Sequence, residues 1–181
     1  MQLLIIRHGE TPLNVARVMQ SADTPLSDNG QAQAARLGQR LASGQPLRPA
    51  GIVSSDLPRA LQTAEAIATA TGLPIITSAL LHERNFGDLR GRRYDTLGFD
   101  PLTSAEAPPN GESIPQFAAR CAAAWAWVLQ QQAALGGPLA VVTHGLVIKH
   151  WLLHGPLQMP ATLTVPDRLS NTSLTVATAV A

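Results

Sequence analysis

Arg7, His8, Arg59, Glu83 and His144 are the side chains of this sequence whose types combine into chemistry once a fold gathers them. Two readings then compete. A metal site would take His8, His144 and Glu83 as ligands. Two guanidinium groups alongside would repel a divalent cation, whereas they attract a phosphate dianion through short, bidentate, charge-assisted hydrogen bonds. Charge therefore favours phosphoryl chemistry without metal or other cofactor. That chemistry asks for donors to three equatorial oxygens and for a nucleophile in line with the leaving group. A neutral imidazole, with a reference pKa of about 6.5, is available for attack at pH 7 and can carry phosphoryl covalently, and neighbouring positive charge disfavours its protonation further. The leaving alkoxide must receive a proton. This calls for a carboxylic acid whose pKa is raised by a partly desolvated pocket or by the incoming phosphate, and Glu83 is the candidate.

These residues are far apart in the chain, so regular elements must deliver them. Residues 2–7 form a short apolar run ending in charge and glycine, the pattern of a strand buried on both faces. After a turn at Pro25, Ser27 or Asp28 caps a helix carrying Ala32, Ala35, Leu37 and Leu41, which the Ser43-Gly44-Gln45-Pro46 cluster ends. Residues 51–54 read as a second strand. Asp56 and Pro58 then announce a helix whose Leu57, Ala60, Leu61, Ala64, Ile67 and Ala68 make one apolar stripe ending before Gly72. Further strands are predicted over 74–77 and 139–143, a long helix over about 113–135, another over 145–154, and a last strand over 173–180. Between Ser78 and Glu112 the periodicity fails while glycine and proline accumulate, the mark of a long functional loop or lid.

Strands alternating with helices predict a three-layer α/β/α sandwich around a mainly parallel central sheet, in one domain over residues 1–181. Ligands of such sheets bind beyond the carboxyl ends of the strands. Arg7 and His8 follow the first strand, Arg59 the second, Glu83 the third and His144 the fourth, so all are expected at one edge.

Arg7-His8-Gly9-Glu10-Thr11 with Asn14 resembles the signature of the histidine phosphatase superfamily, also called the phosphoglycerate mutase-like family. Asp23, Pro25-Leu26-Ser27, Gly30 and Gln33-Ala34 follow its next block, and Ser54-Ser55-Asp56-Leu57-Pro58-Arg59-Ala60 with Gln62-Thr63-Ala64 its second. Leu81, Glu83, Phe86-Gly87 and Gly91 are similar to its acid-bearing loop, Gly111-Glu112-Ser113 and Phe117 to its fourth motif, and Thr143-His144-Gly145 to its second catalytic histidine. The resemblance covers nearly the whole chain. It implies that His8 is phosphorylated, that Arg7, Arg59 and His144 hold the phosphoryl group, and that Glu83 donates the proton and then activates water. It also implies pocket roles for Asn14, Thr11 and Gln20, with the backbone of Gly145 and Leu146 as added donors. Ser21 stands where the family often has glycine. The chain lacks the longer insertion of typical phosphoglycerate mutases, which favours a phosphatase over a mutase. A catalytically silent module that binds a phosphorylated ligand is the rival from another class.

Thirteen Lys and Arg against twelve Asp and Glu give a formal charge of +1, too balanced for a nucleic-acid-binding footprint. Arg84, Arg90, Arg92 and Arg93, interleaved with Phe86 and Tyr94, read either as a clamp for a second phosphate or acidic substrate or as a solvated loop. The apolar run at residues 3–6 is shorter than the roughly 7 to 15 of a signal-peptide core. Gln130-Gln131-Gln132 and Gly136-Gly137-Pro138 interrupt the longest uncharged stretch, so no segment is expected to span a bilayer. The single cysteine, Cys121, points to a reducing compartment and a packing role. The expectation is a cytoplasmic protein whose partner is a small phosphorylated metabolite, with no nucleic acid and no membrane. Oligomeric state, a homo-oligomer included, is left open. His82 reads as a pocket-wall or surface residue, His150 and His154 as packing or surface, and Trp125, Trp127 and Trp151 as core or interface.

Overall fold

The computed structural model describes residues 2–104, 106–155, 157 and 164–178. Among these, the strands β1 (Gln2–Arg7), β2 (Gly51–Ser54), β3 (Ile75–Thr77), β4 (Leu139–Thr143) and β5 (Leu174–Thr178) form one sheet in the order β3-β2-β4-β1-β5. The first four are parallel to their neighbours, and β5 lies antiparallel on β1. The helices are α1 (Pro12–Ala16), α2 (Asp28–Ala42), α3 (Pro58–Thr71), α4 (Ile114–Leu135) and α5 (Gly145–Leu153).

Strand alternation decides the layers. Leu3 and Ile5 of β1 face one side with Val53, Leu139 and Val141, and there Phe117, Cys121, Trp125, Val128, Val147, Ile148 and Trp151 pack on them from α4 and α5. Leu4 and Ile6 face the other side with Ile52, Ala140 and Val142, and meet Leu37 and Leu41 of α2 and Ala60, Ala64 and Ile67 of α3. This is the expected three-layer sandwich. Each fully buried aliphatic chain adds about 1.5–3 kcal/mol. Cys121 belongs to the first core, and burial pushes its thiol up to about 12, which fits packing and not chemistry.

The helix ends follow the sequence signals. Ser27 accepts from the Gly30 N–H, Ser113 and Gln116 form a reciprocal capping box, and α3 and α4 stop at Gly72 and Gly136, whose φ of 76° and 71° suit glycine. Boundaries shift by a residue or so: the strand expected over 74–77 starts at Ile75, and the helix expected over 145–154 ends at Leu153. The final strand starts at Leu174, and positions 179–180 of the expected strand lie outside the described residues. Among the described residues, the loop between Ser78 and Glu112 contains three short 3-10 turns and an isolated bridge from Arg93 to Val18, with no longer helix or strand, as the lost periodicity predicted. Among the described residues no helix is long and apolar enough to cross a membrane.

Register then positions the site. Arg7 lies opposite Thr143, and Ser54 opposite both Val142 and Thr77. The residues that leave the sheet next, His8, Ser55, Ser78 and His144, therefore emerge along one edge, the carboxyl end of the parallel strands.

Candidate active site

At that edge the rings of His8 and His144 lie 5.2 Å apart between centroids, inclined by 57°. His8 is 2% exposed and His144 fully buried. The His8 Nδ1 sits 2.7 Å from the Gly9 carbonyl oxygen. A carbonyl only accepts, so Nδ1 carries the ring proton and Nε2 keeps its lone pair. The loop that holds the ring is tied from three elements. The His8 N–H donates to Thr143, Asn171 Nδ2 donates to the His8 carbonyl, and the Gly9 N–H donates to Thr63 Oγ1, whose hydroxyl donates in turn to the Arg59 carbonyl.

Arg7 and Arg59 are both buried, yet the Nε of each has no hydrogen-bond partner. Arg7 is steadied by the Leu169 carbonyl and Arg59 by that of Ser21, at 3.2 Å. Burial pulls Arg59 down to about 10, with Glu83 opposing and Arg90 and Arg7 adding to the fall. It remains cationic at neutral pH. Two buried guanidinium groups with free donors are costly unless an anion joins them. Gly145 lies beside Arg7, where an added Cβ would stand 3.4 Å from Arg7 Nε, an ordinary contact. Its N–H opens α5 and has no intrahelical acceptor.

Glu83 is half-buried and lines the same cavity, of about 250 Å³, as Arg7, His8, Asn14, Gln20, Arg59 and Gly145. Burial raises its pKa, against hydrogen bonds from the Leu146 N–H at 3.1 Å and the Arg84 N–H at 3.0 Å and the charges of Arg59 and Arg7. Such a carboxyl keeps its proton to higher pH than an exposed one. Burial, with Arg59 the next cause, holds His8 and His144 well below the usual imidazole range, so both are neutral at pH 7.

The fold gathers the five expected residues, but it redistributes the secondary ones. Asn14 Oδ1 accepts from Thr11 and from Asn171, which leaves its amide donors free, and Gln20 Oε1 accepts the Thr11 hydroxyl, which leaves its NH2 free; both line the cavity. Thr11 itself is fully buried, caps α1 by accepting the Asn14 N–H, donates its hydroxyl to Gln20, and does not line the cavity. The Leu146 N–H, expected to face the phosphoryl group, is used by Glu83. Arg84 and Arg90 line the cavity, whereas Arg92 and Arg93 are exposed and Arg93 pairs with Asp95. His82 pairs with Asp56, and His150 packs edge-on against Phe117. Tyr94, noted among the loop arginines, lines the cavity, as do Arg17, Lys149 and Arg168, which had no sequence signal beyond charge. Among the described residues no three His, Cys, Asp or Glu side chains are grouped as metal ligands.

The buried neutral imidazoles make stability depend on pH. Their folded pKa lies below the unfolded value, so the unfolded chain binds protons first as pH drops. Unfolding free energy is expected to fall below about pH 6.5 by up to about 1.4 kcal/mol per pH unit for each histidine. Glu83, with its raised pKa, acts in the opposite direction only nearer the carboxylate range. Urea midpoints across pH 5 to 8 measure this, and a flat wild-type profile, or a slope unchanged in His8→Ala, would contradict it.

A family model described as the histidine phosphatase superfamily, branch 1, matches residues 3–179. Phosphoglycerate mutase-like protein 4 of Arabidopsis thaliana is 34% identical over 160 residues, which cover 82% of this chain and 68% of that protein. Among solved structures, mycobacterial glucosyl-3-phosphoglycerate phosphatase in complex with VO3 aligns at a TM-score of 0.78 and 32% identity, covering 97% of this chain and 90% of the other. Phosphoglycerate mutase from Bacillus anthracis str. Sterne aligns at 0.76 and 26%, covering 97% and 86%. A match running from residue 3 to residue 179 leaves none of the cavity outside it, and the chain accordingly belongs to the histidine phosphatase superfamily, branch 1.

Proposed function

We propose that this protein is a phosphatase that hydrolyses small phosphomonoesters through a phosphohistidine at His8. The observation that carries the reading is the His8 ring, whose Nδ1 proton is committed to Gly9 while its Nε2 lone pair is free, beside two guanidinium groups with unused donors. In this reading Nε2 attacks phosphorus in line with the leaving oxygen. Arg7, Arg59 and His144 bind the equatorial oxygens, with Asn14, Gln20 and the Gly145 N–H adding donors. Glu83 protonates the departing alcohol, then takes a proton from the water that hydrolyses the phosphohistidine. The cationic lining suits an anion and repels a divalent cation, so turnover is expected with chelator present. Release of inorganic phosphate from a panel of phosphorylated metabolites tests the reading, and no release from any member would overturn it.

Likeness to two proteins named for phosphoglycerate mutase supports a second reading, phosphoryl transfer within one substrate. Isomerised phosphoglycerate without free phosphate would favour it. Against a silent binding module stand the intact His8, Arg59 and His144.

The outer wall bears on substrate choice. Arg17, Arg90, Lys149 and Arg168 line the cavity without a carboxylate partner among the described residues. A phosphomonoester with a carboxylate on its alcohol portion complements them better than a neutral one. Arg90→Ala is expected to raise KM for 3-phosphoglycerate about tenfold, the worth of one charge-assisted hydrogen bond, and KM for p-nitrophenyl phosphate no more than about twofold. Equal changes would remove Arg90 from recognition of the alcohol.

A further inference from the structure

Deep in the site, one contact has no part in the chemistry above. Ser55, fully buried in the turn after β2, places its Oγ 2.8 Å from His144 Nε2. That contact alone does not say which atom gives the proton. The neighbours decide it. Ser55 Oγ already accepts the Leu57 N–H at 3.3 Å, the Ser55 N–H is donated to Val142, and the Ser55 carbonyl accepts the Ser54 hydroxyl at 2.8 Å. The Ser55 hydroxyl proton is then the group that still needs a partner, and among the described residues the acceptor within reach is His144 Nε2. On the far side of the ring, His144 Nδ1 is buried without any partner. The reverse assignment, Nε2–H donating to Oγ, would leave the hydroxyl proton unpaired.

Resting on the phosphohistidine reading, we infer that Ser55 is a positioning residue: its hydroxyl donates to His144 Nε2 and so fixes the ring proton on Nδ1, as a donor to the transferring phosphoryl group. A neutral imidazole donates only from the nitrogen that carries its proton, so in this site the tautomer decides whether His144 helps or opposes the anion. The device mirrors His8, where the Gly9 carbonyl holds the proton on Nδ1 to bare Nε2. One ring is set by an acceptor to attack, the other by a donor to receive.

The tautomer is read directly from the ring nitrogen-15 shifts and ring couplings of His144 in the wild-type protein, which requires neither turnover nor a variant. A proton on Nδ1 supports the inference, and a proton on Nε2 overturns it. Ser55→Ala then tests the consequence. The expected result is a shift of the His144 ring population toward Nε2–H together with a fall in kcat of about 100-fold, the usual cost of one oxyanion-type donor, and weaker orthovanadate binding. Loss of kcat with an unchanged tautomer would mean a packing role only and would overturn the positioning claim, as would a changed tautomer with unchanged kcat. Failure of the phosphohistidine reading is seen separately, as His8→Ala that still turns over.

Discussion

His8→Ala is expected to lower phosphomonoester turnover by on the order of 10⁴-fold or more and to abolish acid-labile phosphate on the protein, as for other enzymes deprived of a covalent nucleophile. The geometry decides between the two imidazoles. Both are neutral at pH 7, so protonation does not separate them. Position does: His8 lines the cavity with an unengaged Nε2, whereas the Nε2 of His144 is already bonded to Ser55. His144→Ala is therefore expected to slow labelling while leaving the label in place. Brief incubation with a labelled phosphate donor followed by acid and base treatment reads both outcomes. Acid-labile phosphate persisting on His8→Ala would move the nucleophile elsewhere and end the proposal.

How much of this could be read before the fold was seen depends on the kind of signal each residue gives. Apolar runs such as Leu3 to Ile6 and Leu139 to Val142 identify doubly buried strands, and the sites follow from where those strands stop. Caps and glycine stops fix α2, α3 and α4 because a single side chain or a left-handed backbone satisfies the helix end. By contrast α1, with five residues, is too short for any periodicity to show, and Arg17, which ends that helix with φ of 56°, lines the cavity without any motif to announce it. Arg168 comes from an irregular segment and Lys149 from one face of α5, so neither spacing nor motif could have placed them. Hydrogen-bond allocation was out of reach for a deeper reason. The Thr11 hydroxyl, the Leu146 N–H and the Ser55 hydroxyl each choose among partners that only the folded chain brings near. Residue type announced that these groups could donate, and geometry alone decided to what.

Glu83→Gln should separate proton donation from mere charge. With alkyl phosphates, whose alkoxide leaves poorly, the loss in kcat is expected at about 10² to 10⁴-fold, the usual range for a general acid. With p-nitrophenyl phosphate the leaving group needs little protonation, and a loss of no more than about tenfold is expected on the same principle. The pH profile supplies an independent check. Burial keeps Glu83 protonated above the ordinary carboxylate range, so activity toward alkyl phosphates should fall as pH rises through its raised pKa, while protonation of His8 limits activity at the acid end, below the ordinary imidazole range. The variant should keep the acid limb and lose the alkaline one, because glutamine does not titrate. Two backbone N–H groups favour the charged carboxylate and would by themselves make a poor acid. The dianion of an arriving substrate opposes them by adding negative charge beside Glu83 and drawing on Arg7 and Arg59, the cations that otherwise stabilise the carboxylate. Glu83 thus keeps its proton while the ester is bound, and once it has given that proton to the alcohol it is the carboxylate that takes one from water. Equal losses for both leaving groups, or an alkaline limb unchanged in the variant, would assign the proton to another group.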